Sequence, residues 1–265
     1  KQTDVLPFLK HHYLKLFKMM IVGFVAFTMV DAITPGAHKY HVVDILGQLF
    51  MFNNMMPDPD HVIWPGPYWF FGLMLQLYIV YRLVLCRRHW GVTVALMVVC
   101  VGLQLMMSPE GDAINRYRYN FMGGMLPFGL GLLYARYGEG LRQERWSPSL
   151  WGAGFILSCL FTYACSLLFS LWAVAPAIIC VGAICMVKWI ADWWQRVGHP
   201  VLYGLEWMGQ ISAALFVCHP IVRKMLIPIS RHGDIYTGLL LYLIASICLA
   251  WLFRLLINKI PNPKL

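Results

Sequence analysis

Charged residues are scarce in this sequence. Asp, Glu, Lys and Arg make up 12% of the 265 residues, whereas hydrophobic residues make up 60%. Because soluble domains carry roughly 25% charged residues, this composition excludes an ordinary soluble domain and indicates a protein that lies in lipid. The net charge of +9 does not point to nucleic acid, since the basic residues lie between apolar runs, where they orient helices. We therefore expect a lipid bilayer, and no nucleic acid, as a partner.

Familiar catalytic and metal-binding motifs are missing as well. The sequence has no HExxH, GxSxG or GxxxxGK motif and no paired-carboxylate motif, and its acidic residues lie almost entirely in loops. Its eight cysteines form no CxxC pair and lie in or beside apolar runs, which is typical of small packing residues. We therefore predict no metal site and no disulfide framework.

The start of the chain lacks both a methionine and a signal peptide. Its first residues read KQTDVLPFLKHHYLKLFK, without a short apolar region followed by a cleavage site. We therefore expect that the natural protein starts further upstream.

Long apolar runs account for most of what the sequence does contain. They approach the roughly 20 residues that a spanning helix requires, and they lack the alternation of barrel strands. The runs predict a single all-α domain over residues 1–265, a polytopic transmembrane bundle with about eight spanning helices. The polar stretch 35–66 is expected outside the membrane. The predicted spans are 16–34, 67–86, 90–107, 120–136, 150–171, 174–194, 210–228 and 237–258.

The distribution of basic residues predicts the orientation. Of the 21 Lys and Arg residues, 15 lie in the N-terminal segment, in alternate loops and at the C-terminus, and 6 lie in the other loops. The positive-inside rule places the richer set in the cytoplasm. We therefore expect a multi-pass protein of the cell (inner) membrane with both termini cytoplasmic.

Three polar residues on the seventh run are candidates for chemistry. Ser212, His219 and Arg223 are spaced by seven and four residues, which places them near one face of a helix. Pro220 cannot donate a backbone hydrogen bond and so frees a carbonyl near Phe216. His219 is either a general base in a polar cavity or a neutral histidine bonded to another helix.

Other polar residues have both a functional and a structural interpretation. Gln76 and Tyr78 either line a cavity or join helices through hydrogen bonds. Arg116 and Arg118 either bind an anionic acceptor or extend to lipid headgroups.

The basic N-terminal segment also has both a functional and a structural interpretation. It contains His12 and Lys15, with His11, Lys10 and Lys18 nearby. It either contacts anionic lipid or docks a polyanionic cytoplasmic ligand such as coenzyme A.

Three stretches together resemble the membrane acyltransferase family 3, which acetylates O-antigens, Nod factors and other surface glycans. PYWFFGLMLQLYIVYRLVL matches the family's Trp and Gln-x-Tyr helix at Trp69, Gln76 and Tyr78, although the acidic residues usual before the Gln are Met74 and Leu75 here. YNFMGGMLPFGLGLLYARY is similar to its F-x-x-G helix. WMGQISAALFVCHPIVRKMLI is similar to "lGkiSyslYLiHppv", and the matches there are Gly209, Ser212, Phe216, His219 and Pro220.

The N-terminal segment extends this resemblance. FLKHHYLKLFK is similar to the family's basic RRxxRIxP loop, with His12 and Lys15 at two arginine positions and Lys18 in place of the proline. The family has ten helices and that loop precedes the third. The resemblance thus implies that two helices, which carry the family's catalytic Arg and His, are absent here, and that this chain alone is inactive.

The resemblance implies a membrane O-acyltransferase. It would move an acyl group, most simply acetyl, from cytoplasmic acyl-CoA as donor substrate to a hydroxyl of a cell-surface or lipid-linked carbohydrate, with no bound cofactor. His219 is then the catalytic candidate. A transporter or flippase for a polar lipid or sugar is the alternative; it should show inverted repeats, and none is evident. The candidates for substrate binding are His12, Lys15, Trp69, Gln76, Tyr78, Arg116, Arg118, Ser212 and Arg223.

Binding of radiolabelled acetyl-CoA to membranes tests the donor assignment. The acyltransferase hypothesis predicts binding by the complete protein and loss of that binding in His12→Ala and Lys15→Ala, because both remove part of the proposed docking segment. His219→Ala is compared in the same assay. Unchanged acetyl-CoA binding in both His12→Ala and Lys15→Ala would contradict the assignment.

Overall fold

The computed structural model describes residues 4–56, 65–107, 118–138, 147–197, 200–230 and 233–262. Within these ranges it is helical and contains no strand, which confirms the all-α prediction. The α-helices of the described part are α1 (Val5–Ile33), α2 (Val42–Leu49), α3 (Trp69–Val80), α4 (Trp90–Leu105), α5 (Phe121–Tyr137), α6 (Pro148–Leu167), α7 (Ala175–Val197), α8 (Pro200–Ser230) and α9 (Ile235–Lys259).

All eight predicted runs fall in helices, but the count of eight membrane spans is not confirmed. In the described residues, four helical segments are long and apolar enough to cross a membrane by length and composition. Helix α1 begins at Val5 rather than at 16, so its basic N-terminal turns extend the span. The predicted span 150–171 ends early, at Leu167, and a 3₁₀ turn (Phe169–Ala173) follows it. The four segments are Val5–Ile33, Gly66–Leu85, Pro148–Leu167 and Ile235–Lys259.

The chain forms two compact units. The first comprises Lys1–Tyr78 and Tyr203–Leu265, and the second comprises Ile79–Leu202. The first unit thus contains α1, α2, most of α3, nearly all of α8, and α9.

Tyr68 fixes the centre of the first unit. Its side chain is buried, and its hydroxyl donates to the carbonyl of Val217 on α8 at 2.8 Å. Gly23 of α1 lies directly beside this hydroxyl and beside Val217, where a Cβ atom would collide with both. The absence of a side chain at Gly23 therefore allows α1, α3 and α8 to approach closely.

The helix directions follow from paired contacts along the first unit. Gly23 lies beside Val217, and Asp31 pairs with Lys224 further along, so α1 and α8 run parallel. Helix α9 runs antiparallel to α8, since Arg254 donates to Gln210 while Cys218, further along α8, donates to the carbonyl of Ser246, earlier on α9. After the end of α9, Asn262 accepts from Lys18, about midway along α1, at 2.9 Å.

Residues 35–56, which belong to the stretch expected outside the membrane, fold back along α1 as a returning segment. Tyr40 donates to Asp31 near the end of α1 at 3.3 Å, whereas Tyr13 near its start donates to the carbonyl of Leu49 at 2.9 Å. These two α1 residues are about 27 Å apart along the helix axis. Met51, with a φ of 59°, then turns the chain. Helix α2 thus lies beside a membrane-spanning helix.

The residues of this returning segment explain why it tolerates apolar surroundings. Its surface carries the large apolar side chains of Val42, Val43 and Phe50. Three of its polar side chains, Gln48, Asn53 and Asn54, are buried, and Asn53 donates to the side chain of Gln48 and to the carbonyl of Asp44. The sequence shows the polar residues of 35–66 but not that they bond to one another.

The second unit consists of two helical hairpins. In one, Gln104 at the end of α4 donates to the carbonyl of Met122 at the start of α5. In the other, α6 and α7 pack so closely that a Cβ at Gly182 would press on Ser158.

Gly23→Ala tests the packing at Tyr68. The added methyl group collides with the Tyr68 hydroxyl and with Val217, so we expect a loss of about 1–3 kcal/mol of stability, the usual cost of overpacking a core. Thermal unfolding of the detergent-purified protein measures it. Gly131→Ala is the matched control, because nothing lies within 4 Å of a Cβ at that helical position. Equal melting temperatures for the two variants would contradict this packing.

Candidate active site

One cavity of the first unit contains the predicted catalytic histidine. Its volume is about 240 Å³. It lies between α1, the turn that leads into α3, and α8, and we call it the His219 cavity. Its lining residues are Phe27, Pro65, Gly66, Pro67, His219, Pro220, Arg223 and Lys224.

The backbone around Pro220 fixes the chemical form of His219. Proline has no N–H, so the carbonyl of Phe216, four residues earlier, loses its helical partner. His219 Nδ1 lies 2.8 Å from that carbonyl oxygen. A carbonyl can only accept, so the contact requires the proton on Nδ1 and leaves Nε2 with a free lone pair. Neutral His219 is thereby prepared to accept a proton at Nε2.

Two cations lie one turn beyond His219, in different environments. Arg223 lies at the surface of the unit, at the rim of the cavity. Lys224 is 15% exposed and forms an ion pair with the fully buried Asp31, with 2.8 Å between Nζ and Oδ1. Asp31 offsets the charge of Lys224, whereas Arg223 has no carboxylate of the described residues within ion-pair distance.

The segment after α1 encloses the same carboxylate. Tyr40 donates to Oδ2 of Asp31 at 3.3 Å. Burial, together with the nearby charge of Asp31, raises the pKa of Tyr40 well above its ordinary value. Tyr40 therefore stays protonated and acts as a hydrogen-bond donor at physiological pH.

A second cluster of predicted residues lies near the N-terminus of α1. His12 stacks on the ring of Tyr78, with 4.2 Å between centroids and 23° between planes. The ring centroids of Phe8 and His12 are 4.3 Å apart, and the exposed side chain of Lys15 lies one turn after His12 on α1. The cluster, which we call the His12 platform, combines a flat aromatic surface with positive charge.

Gln76 joins α3 to the returning segment. It donates to Oδ1 of Asn54 at 3.1 Å, and Asn54 is almost fully buried. This is the interhelical hydrogen bond that the sequence left open as one of two interpretations.

The remaining candidates lie outside both clusters. Ser212 lies at the surface and donates to the carbonyl of Gly209 in its own helix at 2.7 Å. Trp69 contacts the ring of Phe70 edge-on. Arg118 belongs to the second unit and lies over the ring of Trp172, 4.8 Å from its centroid. Arg116 lies outside the described residues.

The structure thus groups His219 with Arg223 and His12 with Tyr78, at different levels of one unit. Val217 lies beside Gly23, so His219 lies near the level of Val25, and thirteen residues of α1 separate it from His12. At the helical rise this is about 20 Å. An apolar core that includes Met20 and Phe24 fills the unit between these levels.

Sequence reasoning missed Asp31 and Lys224. A usable signal was present, since Asp31 is an acidic residue within the first apolar run and intramembrane charges are usually functional. Its partner lies 193 positions away in the chain and could not be read from local pattern. In the described part of the chain, no cluster of three or more His, Cys, Asp or Glu side chains could hold a metal ion.

Comparison with known protein families identifies the enzyme class of this chain. A family model described as an acyltransferase domain (Acyl_transf_3) matches residues 1–255. The chain belongs to the acyltransferase family 3. The match confirms the resemblance inferred from the sequence and identifies the protein as a membrane acyltransferase. No curated protein and no solved structure matches the chain significantly.

Acyl transfer to a hydroxyl needs a base for the hydroxyl proton and a positive or donor group for the oxyanion. In this member of acyltransferase family 3, the His219 cavity offers Nε2 for the first task and Arg223 for the second. Two other cavities, one lined by α6 and α7 and one lined by Trp207 with α9, have neither a histidine nor an arginine in their lining.

The tautomer of His219 can be measured directly. We expect neutral His219 to carry its proton on Nδ1, because the carbonyl of Phe216 accepts from that nitrogen. Nitrogen-15 NMR of histidine-labelled protein in membranes, assigned by difference with His219→Asn, reports which nitrogen is protonated. In Pro220→Ala a backbone N–H competes for the same carbonyl, so the preference should weaken. A dominant Nε2–H form in the wild type would contradict this account.

Proposed function

We propose that this acyltransferase moves an acyl group, most simply acetyl, from acyl-CoA to a hydroxyl of a cell-surface or lipid-linked carbohydrate. The observation that carries the proposal is the His219 cavity, where a histidine whose Nδ1 is bonded to the backbone and an exposed guanidinium share one opening. Family membership favours this enzyme over the transporter or flippase that the sequence left as an alternative.

In the proposed reaction, Nε2 of His219 takes the proton of the attacking hydroxyl. The oxygen adds to the thioester carbonyl, and Arg223 stabilises the negative charge that develops on the carbonyl oxygen. The C–S bond then breaks as the carbonyl re-forms, and the proton on Nε2 passes to the departing CoA thiolate. The new ester and free CoA leave, and His219 returns to its starting form. No bound cofactor takes part in this scheme.

The His12 platform suits the nucleotide end of the donor. Its ring pair offers an apolar plane on which adenine can stack, and aromatic stacking of a base contributes about 1–3 kcal/mol. Lys15 and Lys18 supply the positive charge that the phosphates of CoA require. The pantetheine arm would have to pass the apolar core that separates this level from His219 in order to carry the acyl group there.

The direction of the reaction follows from the proposed orientation. The basic segment of α1 would lie on the cytoplasmic side of the inner membrane, where acyl-CoA is made, and the His219 cavity would open towards the other side. The helix directions support a common side for both termini, because α8 runs parallel to α1 and α9 runs antiparallel to α8, so that α9 ends towards the level at which α1 begins.

Kinetics of the complete gene product in membranes test the proposal. His219→Gln removes the base, so we expect kcat to fall about 10²–10⁴-fold, the usual contribution of general base catalysis, with acetyl-CoA affinity retained. His12→Ala should instead weaken acetyl-CoA binding. His89→Gln is the matched control: His89 caps α4 by accepting from the backbone of Gly91, which glutamine can also do. A His219→Gln protein as active as this control would refute the proposal.

A further inference from the structure

The carboxylate of Asp31 is the most heavily engaged side chain near the His219 cavity. It is fully buried, with an ion pair at one oxygen and hydrogen bonds at the other. Lys224 Nζ lies 2.8 Å from Oδ1, while the backbone N–H of His38 and the hydroxyl of Tyr40 donate to Oδ2 at 2.8 and 3.3 Å. Three donors from two separate parts of the chain therefore converge on one group.

Lys224 extends this cluster into the backbone of the turn after α1. Its Nζ also donates to the carbonyl of Gly36 at 2.9 Å. Gly36 has a φ of +74°, a conformation that residues with side chains rarely adopt. The ion pair thus ties α8 both to the end of α1 and to the turn that leads into the returning segment.

The tie lies on the turn of α8 that carries the proposed chemistry. Lys224 follows Arg223 directly, and His219 lies just over one turn earlier on the same helix. Lys224 also lines the His219 cavity, as does Phe27, one turn before Asp31 on α1. A shift of the α8 turn relative to α1 would therefore change the shape of the cavity and move both His219 and Arg223.

Stability alone is a weak reason to keep such a pair. Removing two charges from water costs about as much as their attraction returns, and apolar replacements are often equally stable. Geometry is a stronger reason, because a misplacement of about 1 Å at a reacting group can cost about 10²-fold in rate.

We propose that Asp31 is a positioning residue for acyl transfer: through Lys224 it holds the His219–Arg223 turn of α8 in register with α1 at the cavity. This inference rests on the proposed function of the His219 cavity. Asp31 does not touch the substrate in this proposal; it acts through the helix turn.

Single and double neutralisations of the pair test the proposal. Asp31→Asn replaces one carboxylate oxygen by an amide NH₂, which then faces another hydrogen-bond donor. The substitution also leaves Lys224 without a counter-ion. Lys224→Gln leaves the buried carboxylate without its cation. We expect each to lower kcat for acetyl transfer at least about tenfold, with the KM for acetyl-CoA within about twofold of wild type. In Asp31→Asn/Lys224→Gln the two amides can pair, and most of the lost kcat should return.

Asp234→Asn is the matched control. It removes a carboxylate that caps α9 by accepting from the backbone of Thr237, away from the cavity lining. We expect its kcat to stay within about twofold of wild type, as for most surface substitutions. If Asp31→Asn matches this control, or if the double variant is no better than the worse single one, the positioning role is wrong. If kcat and the melting temperature fall while the acetyl-CoA KM rises, the pair is only structural and the proposal also fails.

A labelling experiment separates this inference from the proposed function. In Arg223→Cys, an impermeant maleimide reports the exposure of the turn without any need for acyl transfer, with the wild type giving the background from native cysteines. Adding Asp31→Asn should change the labelling rate at least about fivefold if the pair holds the turn in place. An unchanged rate overturns the positioning role even if the enzyme proves active. A changed rate with no acyl transfer in the wild type keeps the positioning role but refutes the proposed function.

Discussion

Lipid supplies no hydrogen-bond partner, so each polar group along a membrane-spanning helix must find one within the protein. Three arrangements in the first unit meet this constraint. Pro220 leaves a carbonyl unpaired, and His219 bonds to it. Gln76 bonds to Asn54 of the returning segment. Asp31, buried near the end of its helix, receives Lys224.

The three arrangements differ in what they leave available for chemistry. Gln76 and Asn54 use their polar atoms on each other and so join α3 to the returning segment. His219 uses only Nδ1, so its other nitrogen remains free at the cavity. Asp31 neutralises Lys224 and leaves Arg223 as the charge at the rim. The same constraint thus yields a structural contact in one place and a reactive group in another.

Local sequence pattern was sufficient for the helices and for the freed carbonyl near Phe216, but it did not predict that His219 of the same helix bonds to that carbonyl. A proline frees the carbonyl four residues earlier, which could be stated before any coordinates were known. The order of three short motifs was sufficient for the family, which the match over residues 1–255 confirms. What could not be predicted depends on distant pairing, because the partners of Asn54 and Asp31 are Gln76 on α3 and Lys224 on α8.

The central claim is that Nε2 of His219 accepts the proton of the acceptor hydroxyl. Chemical rescue tests it most directly, because the space left by His219→Ala can admit free imidazole. The account predicts that added imidazole raises the acetyl-transfer rate of His219→Ala at least about tenfold and leaves the wild-type rate unchanged. A His219→Ala enzyme that transfers acetyl at the wild-type rate without imidazole would contradict it.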